Sequence, residues 1–253
     1  MLWVFDLDGV VWLAGEAIPG SPEAVDRVRA HGDRVVFVTN NSGPTVAAHL
    51  SRLAAAGIEA APEELATSSQ AAASLLARGS RAAYVGGEGL REALESCGVE
   101  IVDVEADPEA VVVGRSLDLS FAMLAAAAGA IRRGAHFIAT NTDSTFPTPT
   151  GPEPGAGALI AYLEVGSGRR PEVAGKPHSP MARLVQDRYG RPDIVVGDRA
   201  ETDGAFAELI GAPFALVLTG VTKRSDLPVS PAPALVEDNL AEVVERRLAT
   251  AGD

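Results

Sequence analysis

Residues 2–9 read Leu2-Trp3-Val4-Phe5-Asp6-Leu7-Asp8-Gly9: an apolar run that ends in two aspartates one residue apart. A short continuous apolar run closed by polar residues and a glycine reads as a strand buried on both faces. The same figure recurs down the chain. Val35-Val36-Phe37-Val38 runs into Thr39-Asn40-Asn41, Val173-Ala174-Gly175 into Lys176-Pro177, and Ile194-Val195-Val196-Gly197 into Asp198. Helical segments separate these runs, and repeated strand–helix units imply a mostly parallel sheet covered on both faces.

Working outward, the pattern predicts strands over 2–5, 34–38, 82–85, 110–113, 136–139, 173–174, 194–196 and 214–218. Helices are predicted over 22–30 with Ser21 as opener, 44–56, 62–76, 89–97, 119–133, 158–164, 180–189 with Ser179 as cap, 200–210 and 238–248. The strand–helix pattern starts afresh near Arg81 and returns to its first form after Arg170. This reads as an α/β fold in which 1–79 and 171–253 form a core with a parallel sheet, and 80–170 form a smaller inserted α/β domain. The stretch from Asn141 to Gly157 is polar and rich in proline and glycine, and reads as a loop.

Composition narrows the function. A net charge of −13 argues against a nucleic-acid polymer or an anionic membrane as partner. The lone Cys97 excludes an intramolecular disulfide framework and a multi-cysteine zinc site, and reads as a small buried hydrophobe. The opening strand is broken by Asp6 and Asp8, unlike a signal peptide, and Ala125–Ala128 is too short to span a membrane. The expected location is the cytoplasm. The four histidines, His31, His49, His136 and His178, have no metal-ligand spacing; His178 lies nearest the segments above, without a catalytic role expected for it.

Each strand end carries a group that phosphoryl transfer needs. Ligands of open α/β sheets bind at the carboxyl ends of strands, which is where Asp6 falls. Asp6 is placed to attack phosphorus, and Asp8 to protonate the departing oxygen and then activate water. Two carboxylates beside a phosphoryl group repel one another without a divalent cation, and hard oxygen ligands favour Mg²⁺. Thr39, with Asn40 and Asn41, offers a hydroxyl and backbone N–H groups for a phosphate oxygen. Lys176 offers a cation to the phosphate and to Asp6. Asp198 is placed to bind the metal, and Asp203 to bind it or orient a neighbour. Taken singly, each has a plainer reading: a turn, a cap, a solvated lysine, or acids feeding a helix dipole. Asn141 and Asp143 are candidates to bond hydroxyls of a leaving group, or merely to satisfy their own loop.

Taken together, the segments resemble phosphatases of the haloacid dehalogenase superfamily, with Asp6 and Asp8 in its first motif, Thr39 in its second, Lys176 in its third, and Asp198 and Asp203 in its fourth. The likeness extends to its type-IIA capped branch through Phe5–Val10, Thr39–Ser42, Ala139–Asp143, Gly155–Ala158, Gly175–Pro177, Gly197–Arg199 and Thr202-Asp203. That resemblance implies a Rossmann-like core with an α/β cap, and Mg²⁺-dependent hydrolysis of a small phosphorylated metabolite. It implies Asp6, the Asp8 backbone carbonyl and Asp198 as metal ligands, and a homodimer through the cap.

The chain also departs from the branch. After the strand at 111–113, where relatives often carry an Asp-Arg or similar charged pair, it reads Gly114-Arg115-Ser116-Leu117. A tyrosine and a lysine of the family are replaced by Phe121 and Met123. Substrate identity is therefore open among glycerol phosphate, phosphoglycolate, and sugar or nucleotide monophosphates. A phosphotransferase or phosphomutase using the same aspartyl-phosphate remains an alternative, as does a non-catalytic phosphometabolite-binding protein. A receiver-type signalling module would be about half this length, and a dehalogenase would lack the acid at Asp8.

Overall fold

The computed structural model describes residues 1–148 and 150–250. Its larger sheet has six parallel strands, in the order Leu235–Glu237, Phe214–Val217, Ile194–Gly197, Leu2–Phe5, Arg34–Thr39, Leu65–Thr67. The opening strand lies at the centre. Its successors build outward on one side before the chain returns to the other, so strand order reverses between Leu2–Phe5 and Ile194–Gly197. Alternate residues feed opposite faces: Leu2 and Val4 join one core layer, Trp3 and Phe5 the other. Both faces are buried, which is why the run is apolar throughout.

A second sheet of five parallel strands runs Glu172–Val173, His136–Ala139, Ala110–Val113, Arg81–Val85, Glu100–Ile101. Val112 and Ile138 pack on one of its faces, and Val111, Val113 and Phe137 on the other. Among the described residues, no helix is long and apolar enough to cross a membrane.

Several local readings are corrected. The helix expected over 62–76 is a 3₁₀ turn (Pro62–Glu64), an edge strand (Leu65–Thr67) and a short helix (Ser68–Ala73). Pairing of Leu65–Thr67 with Phe37–Thr39 overrides local propensity, and Thr67 then caps the helix by accepting from the Gln70 N–H at 3.2 Å. The strand expected at 173–174 is Glu172–Val173, and it pairs within the second sheet rather than the first. The loop expected from Asn141 to Gly157 contains a hairpin, Thr145–Thr148 against Gly151–Pro154. Ser21 and Ser179 are first helical residues rather than caps; Gly20 and His178 precede them.

Candidate active site

Strand register brings the expected groups to one sheet edge. Phe5 is level with Phe37 on one side and Val196 on the other, and the Asp6 N–H continues the ladder to the Val196 carbonyl at 2.9 Å. Asp6 therefore leaves the sheet between Thr39, the last residue of one neighbour, and Asp198, which follows the other. This is the crevice where strand order reverses. Asp6, Asp8, Thr39, Asn40, Asn41, Asn141, Asp143, Lys176, Asp198 and Asp203 all line one cleft of about 640 Å³, open mouth included.

Lys176 is the hub of the floor. Its buried Nζ donates to Asp6 Oδ1 at 2.7 Å and to Asp203 Oδ1 at 2.6 Å. The other Asp203 oxygen accepts the backbone N–H groups of Asp198 (3.2 Å) and Arg199 (3.1 Å). Asp198 does not cap the following helix; its Oδ2 accepts from the Val221 N–H at 2.6 Å. Oxygens of Asp6, Asp198 and Asp203 lie within 4.8 Å of one another. Three buried carboxylates face one ammonium. Burial raises Asp6 well above the ordinary carboxyl range against the pull of Lys176, and burial with the Asp203 charge raises Asp198 to about 7. Burial alone would lower Lys176, but Asp203 and Asp6 outweigh it and hold the ammonium above its usual range. A pocket of hard oxygen donors with surplus negative charge fits a small divalent cation such as Mg²⁺.

Asp8 sits on a tight turn. Gly9 adopts φ +88°, and a side chain there would lie 2.6 Å from the Asp198 carboxylate. Only glycine allows both the turn and the approach. The turn aims Asp8 into the cleft, where its Oδ1 accepts from Trp12 Nε1 at 3.1 Å, and burial pushes its carboxyl upward against that bond. Thr39 Oγ1 accepts from the Asn41 N–H at 3.0 Å, which leaves its own O–H available to donate.

The remaining expected residues divide. Asn41 lines the cleft, and its Oδ1 accepts from the Gly43 N–H at 3.3 Å. Asn40 commits its amide to the frame: Nδ2 donates to both Asp143 oxygens (3.2 Å each) and to the Lys176 carbonyl (3.0 Å), and Oδ1 accepts from the Lys176 N–H (2.8 Å). Asn141 is likewise a strut, donating to the Asn40 carbonyl at 2.7 Å and accepting from the Asp143 N–H at 3.1 Å. His178 does not line the cleft. Arg115, Phe146, Pro147 and Arg199 also line the wall. Phe146 and Pro147 fall in the Asn141–Pro154 loop, which the sequence offers as its candidate for substrate selection, whereas Arg115 and Arg199 lie in stretches the sequence singles out without assigning them a role. Sequence reasoning missed Thr219-Gly220, just past the apolar strand Phe214–Val217: Thr219 Oγ1 donates to the Gly9 carbonyl, and Gly220 packs so close to Asp198 that a Cβ there would overlap its carboxylate.

Comparison with known proteins agrees with this geometry. A model described as haloacid dehalogenase-like hydrolase matches residues 3–100, and one described as HAD-hydrolase-like matches 173–243. D-glycerol 3-phosphate phosphatase of Mycobacterium tuberculosis is 40% identical over 232 residues, covering 88% of this chain and 64% of that relative. Acid sugar phosphatase of Staphylococcus haemolyticus is 33% identical, covering 89% and 88%. The structure of p-nitrophenyl phosphatase from Archaeoglobus fulgidus superposes with a TM-score of 0.90 at 35% identity, covering 97% and 98%. That of a glycerol phosphate phosphatase from Mycobacterium tuberculosis in complex with magnesium does so at 0.88 and 36%, covering 94% and 74%.

Proposed function

Because this chain belongs to the haloacid dehalogenase-like hydrolases, in their type-IIA phosphatase branch, we propose that it hydrolyses a small phosphate monoester with Mg²⁺ through an aspartyl-phosphate on Asp6. The observation that carries the reading is the Lys176 ammonium shared between Asp6 and Asp203, beside Asp198, at the sheet's switch point. Lys176 holds the Asp6 carboxylate in place, and Thr39 and Lys176 bind the phosphoryl oxygens. An oxygen of Asp6 bonds to phosphorus as the bond to the leaving alkoxide breaks, and Asp8 delivers its proton to that alkoxide. Burial, which raises the Asp8 carboxyl, favours the protonated form needed at this point. Asp8 then takes a proton from the water that attacks the aspartyl-phosphate, releasing inorganic phosphate and restoring Asp6. Asp6 and Asp198, with Asp203 and the Asp8 carbonyl beside them, would hold Mg²⁺, which supplies charge neutralisation at the phosphoryl group.

Uncatalysed ester hydrolysis is slow enough that the site must supply about 20 kcal/mol. Preorganised donors and cations around an in-line nucleophile can do so. The substrate is drawn from small esters such as glycerol phosphate, phosphoglycolate, and sugar or nucleotide monophosphates. Phosphate release from p-nitrophenyl phosphate and that panel, with Mg²⁺, tests the reading. Asp6→Asn is expected to abolish turnover, and Asp8→Asn to lower it by about 10²–10⁴. Turnover that survives Asp6→Asn refutes the covalent route, and a wild type inert on every ester refutes the reading as a whole.

A further inference from the structure

The hairpin Thr145–Thr148/Gly151–Pro154 forms part of the cleft wall through Thr145, Phe146 and Pro147, yet its two strands pair only with each other. A lone two-stranded hairpin is marginal in water, so something must hold it in place. One side chain grips both of its strands. Arg115 Nη2 donates to Glu153 Oε2 at 2.8 Å, and its guanidinium carbon lies 4.3 Å from the centre of the Phe146 ring. Phe146 and Glu153 face each other across the hairpin, so the grip falls on a single cross-strand pair. The anchor end is rigid: Arg115 follows Gly114, whose N–H still donates to the Val85 carbonyl of the second sheet at 2.8 Å. Arg115 Nε is shut off from solvent without a hydrogen-bond partner, as suits a guanidinium pressed against a ring.

Arg115 also lines a second cleft, of about 1490 Å³ with its open mouth, which it shares with Asn41 and Phe146. Phe146 of the hairpin, with Arg115 and Asn41, thus stands between the reaction cleft and this larger space. On the reading that the protein is a phosphatase, we infer that Arg115 is a positioning residue that latches the hairpin against the reaction cleft and so decides which leaving groups are accepted. With the latch closed, Phe146 and Pro147 stand as a fixed wall that favours short aliphatic leaving groups. With it open, the partition recedes and the two clefts merge around a broad, flat one. A planar, permanently charged group does this best, because it lies flat on the ring while its edge pairs with Glu153; a lysine ammonium is a point charge that can approach either partner but cannot stack on one and fork to the other.

Hydrogen–deuterium exchange and kinetics test the latch together. In Arg115→Ala, amides of the segment 144–155 are expected to exchange about tenfold faster, and in Glu153→Ala, which keeps the stack, about threefold faster. Segment 2–9 should exchange as in wild type, which shows that the fold is intact. KM for glycerol 3-phosphate should rise about fivefold to tenfold in Arg115→Ala with kcat little changed, while KM for 1-naphthyl phosphate does not rise. Arg115→Lys should fall between. Unchanged exchange in Arg115→Ala, or an equal loss on both esters, overturns the inference. The exchange arm needs no turnover, so a wild type inert on both esters would refute the phosphatase reading while leaving the latch to be decided on its own.

Discussion

Asp198 and Asp203 are buried acids of one cluster, yet their amide variants should move the metal-free protein in opposite directions. Asp203 accepts at both ends, from the Lys176 ammonium on Oδ1 and from two backbone N–H groups on Oδ2. An asparagine can accept at only one end, so Asp203→Asn points N–H₂ either at an ammonium or at two amides. At least one charge-assisted bond is lost and a buried donor is left unpaired, a cost of about 3 kcal/mol. For a chain of this size that is roughly 6–12 °C in Tm. Asp198 Oδ2 accepts from the Val221 N–H, a bond that an amide oxygen can keep. Asp198→Asn also removes one negative charge from a cluster that holds three carboxylates to one ammonium. Its metal-free Tm should therefore equal or exceed that of wild type. Adding Mg²⁺ should then raise wild type by about 2.7 kcal/mol at a hundredfold excess over Kd, and both variants by much less. Thermal unfolding in EDTA and in Mg²⁺ reads all of these values. If Asp198→Asn lowers the metal-free Tm as far as Asp203→Asn does, the acids are a structural network and the charge argument is wrong.

Three shorter predictions follow from other contacts. His49 is fully buried with Nε2 3.3 Å from the Asn41 carbonyl, and burial lowers it to about 4 from 6.5. A histidine kept neutral in the fold protonates first in the unfolded chain. Its stabilisation is therefore complete above about pH 6.5 and lost as pH falls toward 4; by pH 5 the loss is about 2 kcal/mol. Denaturant melts from about pH 7.5 to 5 should show His49→Gln flatter than wild type by that amount. A Cβ at Gly220 would lie 1.9 Å from Asp198 Oδ2, so Gly220→Ala should displace that carboxylate and cut kcat/KM about a hundredfold or more in steady-state assays. Thr39→Val removes a hydroxyl that accepts from the Asn41 N–H and is free to donate, and should lower kcat/KM about tenfold, the worth of one hydrogen bond.

The sequence made the reaction centre more legible than its surroundings, for physical reasons. Asp6, Thr39 and Asp198 sit at the ends of strands buried on both faces, and such strands advertise themselves as apolar runs whatever lies around them. Leu65–Thr67 does not: it is short, flanked by helix-favouring residues, and becomes a strand only because Phe37–Thr39 offers an open edge. The hairpin was hidden by Pro147, Pro152 and Pro154, which argue against a central strand but are tolerated in an isolated pair. Arg115 was hidden differently. Its partner Glu153 lies 38 residues away, and the sequence showed only that the run after Val113 departs from the family's charge pattern. Asn40 was visible as a polar strand-end residue, but nothing local distinguishes an amide that meets a ligand from one that joins two loops.

That last distinction bears on how specificity and chemistry are coupled. Asp143 and Asn141, on the second sheet's side, bond to Asn40; Asn40 holds both backbone groups of Lys176; Lys176 holds Asp6 and Asp203; Asp203 holds the N–H groups beside Asp198. Every link is at least partly buried and lies between 2.6 and 3.2 Å, so the bonds reinforce one another in a low-dielectric setting. Substitutions at Asn141 or Asp143 should accordingly act on kcat as well as KM. The hairpin joins this network only at its base, where the Gly155 and Gly157 N–H groups donate to the Ser144 and Asp143 carbonyls, and Arg115 grips its strands on the solvent side. A rigid centre beside a weakly latched wall lets leaving-group choice change without disturbing the nucleophile.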